Sequence, residues 1–298
     1  MNLKPALNYN EQINLLESRG LTIPDKDFAR KVLSNVNYYA LTGYLLPYRK
    51  MNDDYESVNF NLIYQQYQFD SELRSIVLSG IEVAERALKT KIAYQIAHDF
   101  NDCCLVFDKD NEEAYFSGDK FWVNDGVQRH LESILYKAVK TNSPTLFVSH
   151  HLKQYEGHFP IWVIIELFSL GNIRHIYENL KPMTQRAITH QYTPETWMLV
   201  SWIESLRKTR NSLAHQMRVY GARYGYSPAK PRRTYHYRKS HNNIFDQIYL
   251  LRQFYFDDFA WIALVDNLTN LIEVYRDSID FDVLGFPEEW KRILIEGK

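Results

Sequence analysis

FNLIYQQYQFDSELRSIVLSGIEVAERALKTKIAYQIAHDF, residues 60–100, is the stretch that decides the fold. Ile63, Tyr67, Leu73, Ile76, Val77, Ile81, Ala84, Leu88, Ile92 and Ile96 recur at helical spacing, so they share one face of a helix. The pattern predicts one long helix, or two in line. On its N-terminal side Glu11–Arg19 and Asp27–Leu46 read as helices, separated by Arg19-Gly20 and Ile23-Pro24, and Pro47 ends the second. On its C-terminal side Val127–Val139 and Thr145–Tyr155 are shorter candidates, and Pro160 sits at a first helical position ahead of Ile161–Phe168. Thr193-Pro194-Glu195 offers a capping hydroxyl, a proline and an acid near the positive helix end, which predicts a helix from Pro194 to about Met217. Ile244–Tyr275 reads as a last long helix. Residues 101–125 are acidic and irregular, and no strand-like alternation stands out. With 11 glycines and 10 prolines in 298 residues, long helices fit better than a turn-rich β architecture. The expected fold class is all-α, a helical bundle with an N-terminal helical extension. Residues 1–56 form the N-terminal region, 57–280 the bundle with an insertion at 101–126 and a basic loop at 219–243, and 281–298 a tail.

Hydrophobic content of 45% with 24% charged residues is that of a globular chain, not a disordered one. No window holds the roughly 18 to 20 uninterrupted apolar residues of a membrane helix. The best run, Ile161–Leu170, contains Glu166 and Ser169. Residues 1–9 have no apolar core, so a secretory signal is not expected. Cys103 and Cys104 are adjacent, which excludes a disulfide framework and zinc-type spacing and fits a reducing cytoplasm. Walker, Rossmann and nucleophile-elbow fingerprints are absent, and no cofactor is expected.

The net charge of −1 argues against a nucleic-acid binder, but its distribution does not. Ser205 to His241 contains Arg207, Lys208, Arg210, Arg218, Arg223, Lys230, Arg232, Arg233, Arg238 and Lys239 and no acid. That segment therefore carries +10, and the remainder carries −11. Such asymmetry points to a polyanionic partner at this end of the chain.

Within the segment, Arg210-Asn211-Ser212-Leu213-Ala214-His215 carries the chemistry. Cleaving RNA without metal requires a base for the 2′-OH proton, an acid for the leaving 5′-oxygen, and cations on the phosphate. Histidine titrates at about pH 6.5 and can serve as either acid or base. Arginine brings a permanent charge and a planar fork matched to two phosphate oxygens. Arg210 and His215, at i and i+5, lie about 140° apart on an ideal helix. His215 shares a face with Asn211 and Arg218, and Arg207 lies above Asn211, giving a polar strip with Arg210 at its flank. One histidine does not easily fill both roles, so the segment reads as half of a site completed by a second copy across a dimer axis.

The segment Ser201–His215 resembles the signature of the bacterial Abi-like (abortive infection) proteins, including the AbiD and AbiF groups. Other blocks follow in order: Ser18–Leu21, Asn37–Tyr44, Tyr67 through Phe69-Asp70 to Leu73-Arg74, and Tyr155 with Pro160–Trp162, Glu166 and Gly171. Leu213 and Gln216 depart from the Cys and second His common around the motif, and Lys89 stands where an Arg follows Glu85 by four. The resemblance implies a HEPN-type helical bundle whose Arg/His motif cleaves RNA on dimerisation. It also implies an RNA partner, with a small noncoding RNA as one candidate. Carried onto this chain, Arg210 and His215 are the catalytic pair, Asn211 the motif's polar second residue, and Arg218 the downstream basic position.

The remaining polar residues admit several readings. Arg207, Lys208, Arg218, Arg223, Lys230, Arg232 and Arg233 are the candidate RNA contacts. Glu166, inside an apolar stretch, could support the site by pairing with Arg207 or Arg210, form a structural ion pair, or simply be exposed. Glu85, a second candidate support, forms an i,i+4 pair with Lys89 that a solvated face would explain. His150, His151 and His158 lack an i,i+4 pair and an acidic ligand, so no metal site is expected. Tyr220, Tyr224, Tyr226, Tyr235 and Tyr237 could stack on bases or pack the loop. The leading expectation is a metal-independent endoribonuclease acting in abortive-infection defence as a homodimer, with no membrane contact. The alternatives are a non-catalytic RNA-binding module holding a structured noncoding RNA, and a protein-interaction antitoxin.

Overall fold

The computed structural model describes residues 5–51, 54–56, 58–193, 195–230 and 242–296. The chain is about 65% helical, with fourteen α-helices among the described residues. A single helix, Phe60–Asp99, forms the spine. Ile63, Leu73, Val77, Ile81, Ala84, Leu88, Ile92 and Ile96 are all buried along it, so the apolar stripe is the core face. The other helices wrap this face. Leu170–Glu178, Pro182–Thr189 and Thr196–Ala214 form one group packed on it, and Ile244–Leu251 and Asp258–Val274 form a second. Gly80 lets the second group approach: a Cβ there would sit 2.7 Å from Leu251 Cδ1 and 3.0 Å from Leu264 Cδ1. Buried side chains from Ile13 to Leu294 make one continuous core. No described helix is long and apolar enough to cross a membrane.

Two small sheets correct the expectation of an all-α chain. Leu21–Thr22 pairs in parallel with Val58–Asn59, which ties the N-terminal helices to the start of the spine. In the acidic excursion, Cys104–Asp108 lies antiparallel between Glu113–Ser117 and His158–Pro160. Its first strand is a continuous apolar run without alternation, and its neighbours decide its state. Leu105 faces Phe116 on one side and Phe159 on the other, and Phe116 N donates to Glu132 Oε1 at 2.8 Å. Asp108 closes the turn by accepting from the Asp110 and Asn111 amides at 3.0 and 2.9 Å.

Three helix boundaries also differ from the sequence expectation. The segment expected as one helix over 27–46 is Lys26–Asn35 and Tyr38–Thr42, split where Val36 turns extended and Asn37 caps the Tyr39 amide. Pro47 lies inside the 3-10 turn Gly43–Tyr48 instead of ending an α-helix. The last long helix is broken after Leu251, because the Asp257 side chain caps the Phe259 amide and restarts the chain in a new direction. All eight residues of Ile244–Leu251 are buried, whereas Asp258–Val274 buries one stripe. The tail is packed as well: Trp261 Nε1 donates to Leu294 O at 2.8 Å.

One buried carboxylate joins three remote parts of the chain. Asp70, on the spine, accepts from Tyr44 OH at 2.6 Å, Arg74 Nη1 at 2.5 Å, Val219 N at 3.1 Å and Tyr220 N at 2.7 Å. Its side chain is 0% exposed and that of Arg74 is 7% exposed. Burial and the Asp70 charge together hold the Tyr44 phenol well above its ordinary value. Replacing Asp70 with Ala strands a buried guanidinium, a hydroxyl and two amides. We expect Asp70→Ala to cost about 3–5 kcal/mol in denaturant unfolding, against under about 1 kcal/mol for an exposed control such as Asp27→Ala.

Candidate active site

The helix Thr196–Ala214 carries the Arg/His segment, and its inner face is set by Met198, Leu199, Trp202, Ile203, Leu206, Thr209 and Leu213. It starts at Thr196 with Glu195 as cap residue but no capping side chain; Pro194 lies outside the described residues. Thr193 is buried, its hydroxyl on Met198 Sδ, and so is not the expected cap. The helix also ends earlier than expected. His215 is its C-cap, Gln216 takes φ +57°, and the amides of Gln216 and Met217 bond back to Leu213 O and Ser212 O at 3.0 Å each. This is a Schellman closure with glutamine in the left-handed position.

The closure corrects the continuous polar strip. Arg218 is turned off the helix, donates to Gly43 O at 2.6 Å and covers the Tyr44 ring. Arg210, Asn211 and His215 remain at the exposed helix end. Among the described residues none of these three side chains makes an ion pair or hydrogen bond. Arg207, Arg210 and Asn211 line a cleft of about 170 Å³ with Glu85, Ser169, Leu170 and Gly171. Ser169 begins the helix Leu170–Glu178, forming a capping box with Asn172. The positive end of that helix therefore opens into the same cleft as two arginines, a setting suited to an anion.

The rest of the basic segment is differently disposed. Glu204 gathers Arg207 at 2.8 Å, Arg174 at 3.0 Å and Lys208 at 3.3 Å. Lys230 pairs with the buried Asp246 at 2.8 Å. Arg223 is exposed, and Arg232 and Arg233 lie outside the described residues, as do Tyr235 and Tyr237. The +10 segment is thus partly neutralised by the two acids that flank it in sequence. Tyr220 is buried, Tyr226 bonds Thr209 at 3.2 Å, and Trp202 Nε1 donates to Ala229 O at 2.7 Å. Tyr226 thus packs the loop on the motif helix, Tyr224 packs on Tyr226, and Tyr220 packs on Phe69 of the spine.

Glu166 is exposed and pairs with neither Arg207 nor Arg210; only its backbone carbonyl is used, by Lys89 Nζ at 3.3 Å. The short helix Ile161–Ile164 tightens to a 3-10 turn at Ile165–Leu167, which rotates Glu166 outward. Lys89 is only 8% exposed and holds Glu85 at 3.0 Å, so that pair is part of the packed wall beneath the cleft, not a solvated face. His151 stacks on Tyr155 and Phe159, and its Nδ1 bonds His158 O at 2.9 Å. Among the described residues no three His, Cys, Asp or Glu side chains converge as metal ligands.

Sequence reasoning overlooked Asp70, Glu204 and the Ser169 helix start. Glu204 was detectable, since it stands i,i+3 to Arg207 and i,i+4 to Lys208, and Ser169-x-x-Asn172 is a capping pattern. Arg207 chiefly, with Arg174 and Lys208, holds the Glu204 carboxyl down at about 2. A depressed carboxylate stabilises the fold above its ordinary value and loses that contribution as pH falls toward the folded value. The Glu204-dependent part of stability should therefore fade between about pH 4.5 and 2. Comparing acid unfolding of wild type and Glu204→Gln checks this, and equal slopes over that window contradict it. Gln216→Gly, which relieves the left-handed strain, should raise stability by about 0.5–1 kcal/mol in thermal or denaturant unfolding.

A sequence profile of the Abi-like protein family matches residues 31–221, about two thirds of the chain. No curated protein and no solved structure matches it. The matched span runs from within the helix Lys26–Asn35 through the spine to Tyr220 and Gly221, so it takes in the cleft, the motif and the Asp70 contacts. The chain belongs to the Abi-like family, a placement that points to a role related to abortive infection.

Proposed function

We propose that this protein is a metal-independent RNA endonuclease of HEPN type acting in abortive-infection defence, with Arg210, Asn211 and His215 as its catalytic residues. The observation that carries this reading is the exposed helix end. Of the segment's six described cations, Arg210 is the one without a partner among the described residues, and it lines the cleft with Asn211 at the positive end of the Leu170–Glu178 helix, while His215 is the exposed C-cap of the same motif helix. An unpaired arginine beside the orphan amides of a helix N-terminus is a ready-made anion site. A phosphodiester brings that anion, and an imidazole is the kind of side chain that serves as its general acid and base.

In this mechanism the cleft seats the scissile phosphate. One His215 removes the 2′-OH proton as the 2′-oxygen bonds to phosphorus. The phosphorus–5′-oxygen bond breaks, and His215 of a second copy protonates the leaving oxygen. Arg210 and the Leu170 and Gly171 amides stabilise charge developing on the phosphoryl oxygens. The products are a 2′,3′-cyclic phosphate and a 5′-OH, and the active species is a dimer.

Purified wild type should cleave single-stranded RNA in EDTA and leave those termini. His215→Ala should lower cleavage roughly 10²- to 10⁴-fold and Arg210→Ala roughly 10²- to 10³-fold. RNA binding should largely survive the His215 change. Cleavage that needs magnesium, or that is unchanged in His215→Ala, overturns the proposal. RNA binding with no cleavage in any preparation would instead favour the non-catalytic RNA-binding module.

A further inference from the structure

The N-terminal helices enclose a groove of about 540 Å³ that the cleavage chemistry leaves unused. Its wall carries Arg19, Tyr38, Tyr39, Arg49 and Tyr55, and among the described residues no Asp or Glu lines it. Three tyrosines and Arg19 thus line a hollow that no described acid lines. Tyr39 is 85% exposed at the start of the helix Tyr38–Thr42, where the Asn37 cap fixes its backbone. Tyr55 is 8% exposed, and its amide bonds Arg19 O at 2.6 Å, so the groove floor is rigid. Arg19 makes no ion pair among the described residues.

The groove is physically joined to the motif. Gly43, on its rim, receives Arg218 at 2.6 Å, and Arg218 leaves the motif helix just beyond His215. Leu46 is shared with a neighbouring open hollow of about 510 Å³ lined also by Arg218, Arg223 and Asp282. A strand lying in the groove would therefore continue past Arg218 toward the helix end that bears His215.

We infer that this groove is a binding site for single-stranded RNA, in which an unpaired base stacks on Tyr39 and Arg19 holds the adjacent phosphate. The inference rests on the ribonuclease reading for its ligand class. Stacking on exposed aromatics flanked by cations suits unpaired nucleotides, since every base offers a π-face and a duplex hides it. A membrane surface or an acidic peptide would use the arginine but would not require an exposed ring beside it. The groove would then feed the substrate to the cleft, or hold an RNA segment beside it.

The test uses the full chain with His215→Ala, so that RNA stays intact, and a fluorescein-labelled unstructured oligonucleotide read by anisotropy. Tyr39→Ala should weaken binding about tenfold, and Tyr39→Phe should restore it. Arg19→Ala should lower the salt slope by about one. A duplex of the same length should not respond to Tyr39→Ala. Tyr39 is exposed, so circular dichroism should show the same melting for each variant. Binding within twofold of the parent in Tyr39→Ala, equal loss with the duplex, or no measurable binding by the parent overturns the inference. Wild-type cleavage is scored separately. Cleavage with Tyr39-independent binding removes the groove alone, whereas Tyr39-dependent binding without cleavage removes the ribonuclease reading alone.

Discussion

The buried carboxylate of Asp70 is the constraint on which the arrangement around the motif depends. Four donor groups from three parts of the chain converge on it: Tyr44, Arg74, and the Val219 and Tyr220 amides. A charge at 0% exposure persists only when its lone pairs are filled, so these segments cannot drift independently. The two amides belong to the residues that immediately follow the motif. Holding them on the spine forces the chain to leave the helix at His215, and the left-handed Gln216 is the local expression of that turn. Arg218 is then brought against Gly43 and Tyr44, the latter itself bonded to Asp70. The end of the motif helix, the N-terminal turn and the spine are thus one mechanical unit.

Charge placement follows from the same unit. The sequence concentrates ten cations in one acid-free segment, but folding returns acids to several of them. Glu204 takes Arg207 and Lys208 with Arg174, and Asp246 takes Lys230. Because Glu204 is shared between the helices Leu170–Glu178 and Thr196–Ala214, its ion pairs also set the position of the first helix's N-terminus relative to Arg210. Arg207 consequently has two duties, as a partner of Glu204 and as a wall of the cleft. Arg210 has only one neighbour set, the cleft itself.

Much of the fold was legible in the periodicity of residues 60–100. A 40-residue helix with a buried stripe needs no information beyond spacing, and the spine appears as the sequence indicates. Boundaries were less legible, for a consistent reason. Val36 and Tyr255 leave helical geometry just before local caps, Asn37 and Asp257, that apolar periodicity does not register, whereas Gln216 turns where the remote Asp70 captures the amides that follow. The strand Cys104–Asp108 was hidden because an apolar run without alternation is compatible with strand or helix. Its partner His158–Pro160 lies some fifty residues away, and only pairing selects between the two.

For the candidate site, the sequence by itself determined the ingredients: an Arg/His segment at helical spacing, an excess of cations, and a family's ordered blocks. Those follow from residue identity and from the 3.6-residue period, which are local properties. The tertiary structure alone decided which ingredients meet. It brought Ser169, Leu170 and Gly171 to Arg210, turned Glu166 outward, withdrew Arg218 from the strip, and gathered Tyr39 and Arg19 in one groove. The placement of Arg218 depends on a buried charge whose donors lie up to 150 positions away, and the free energy of such a contact has no local signature.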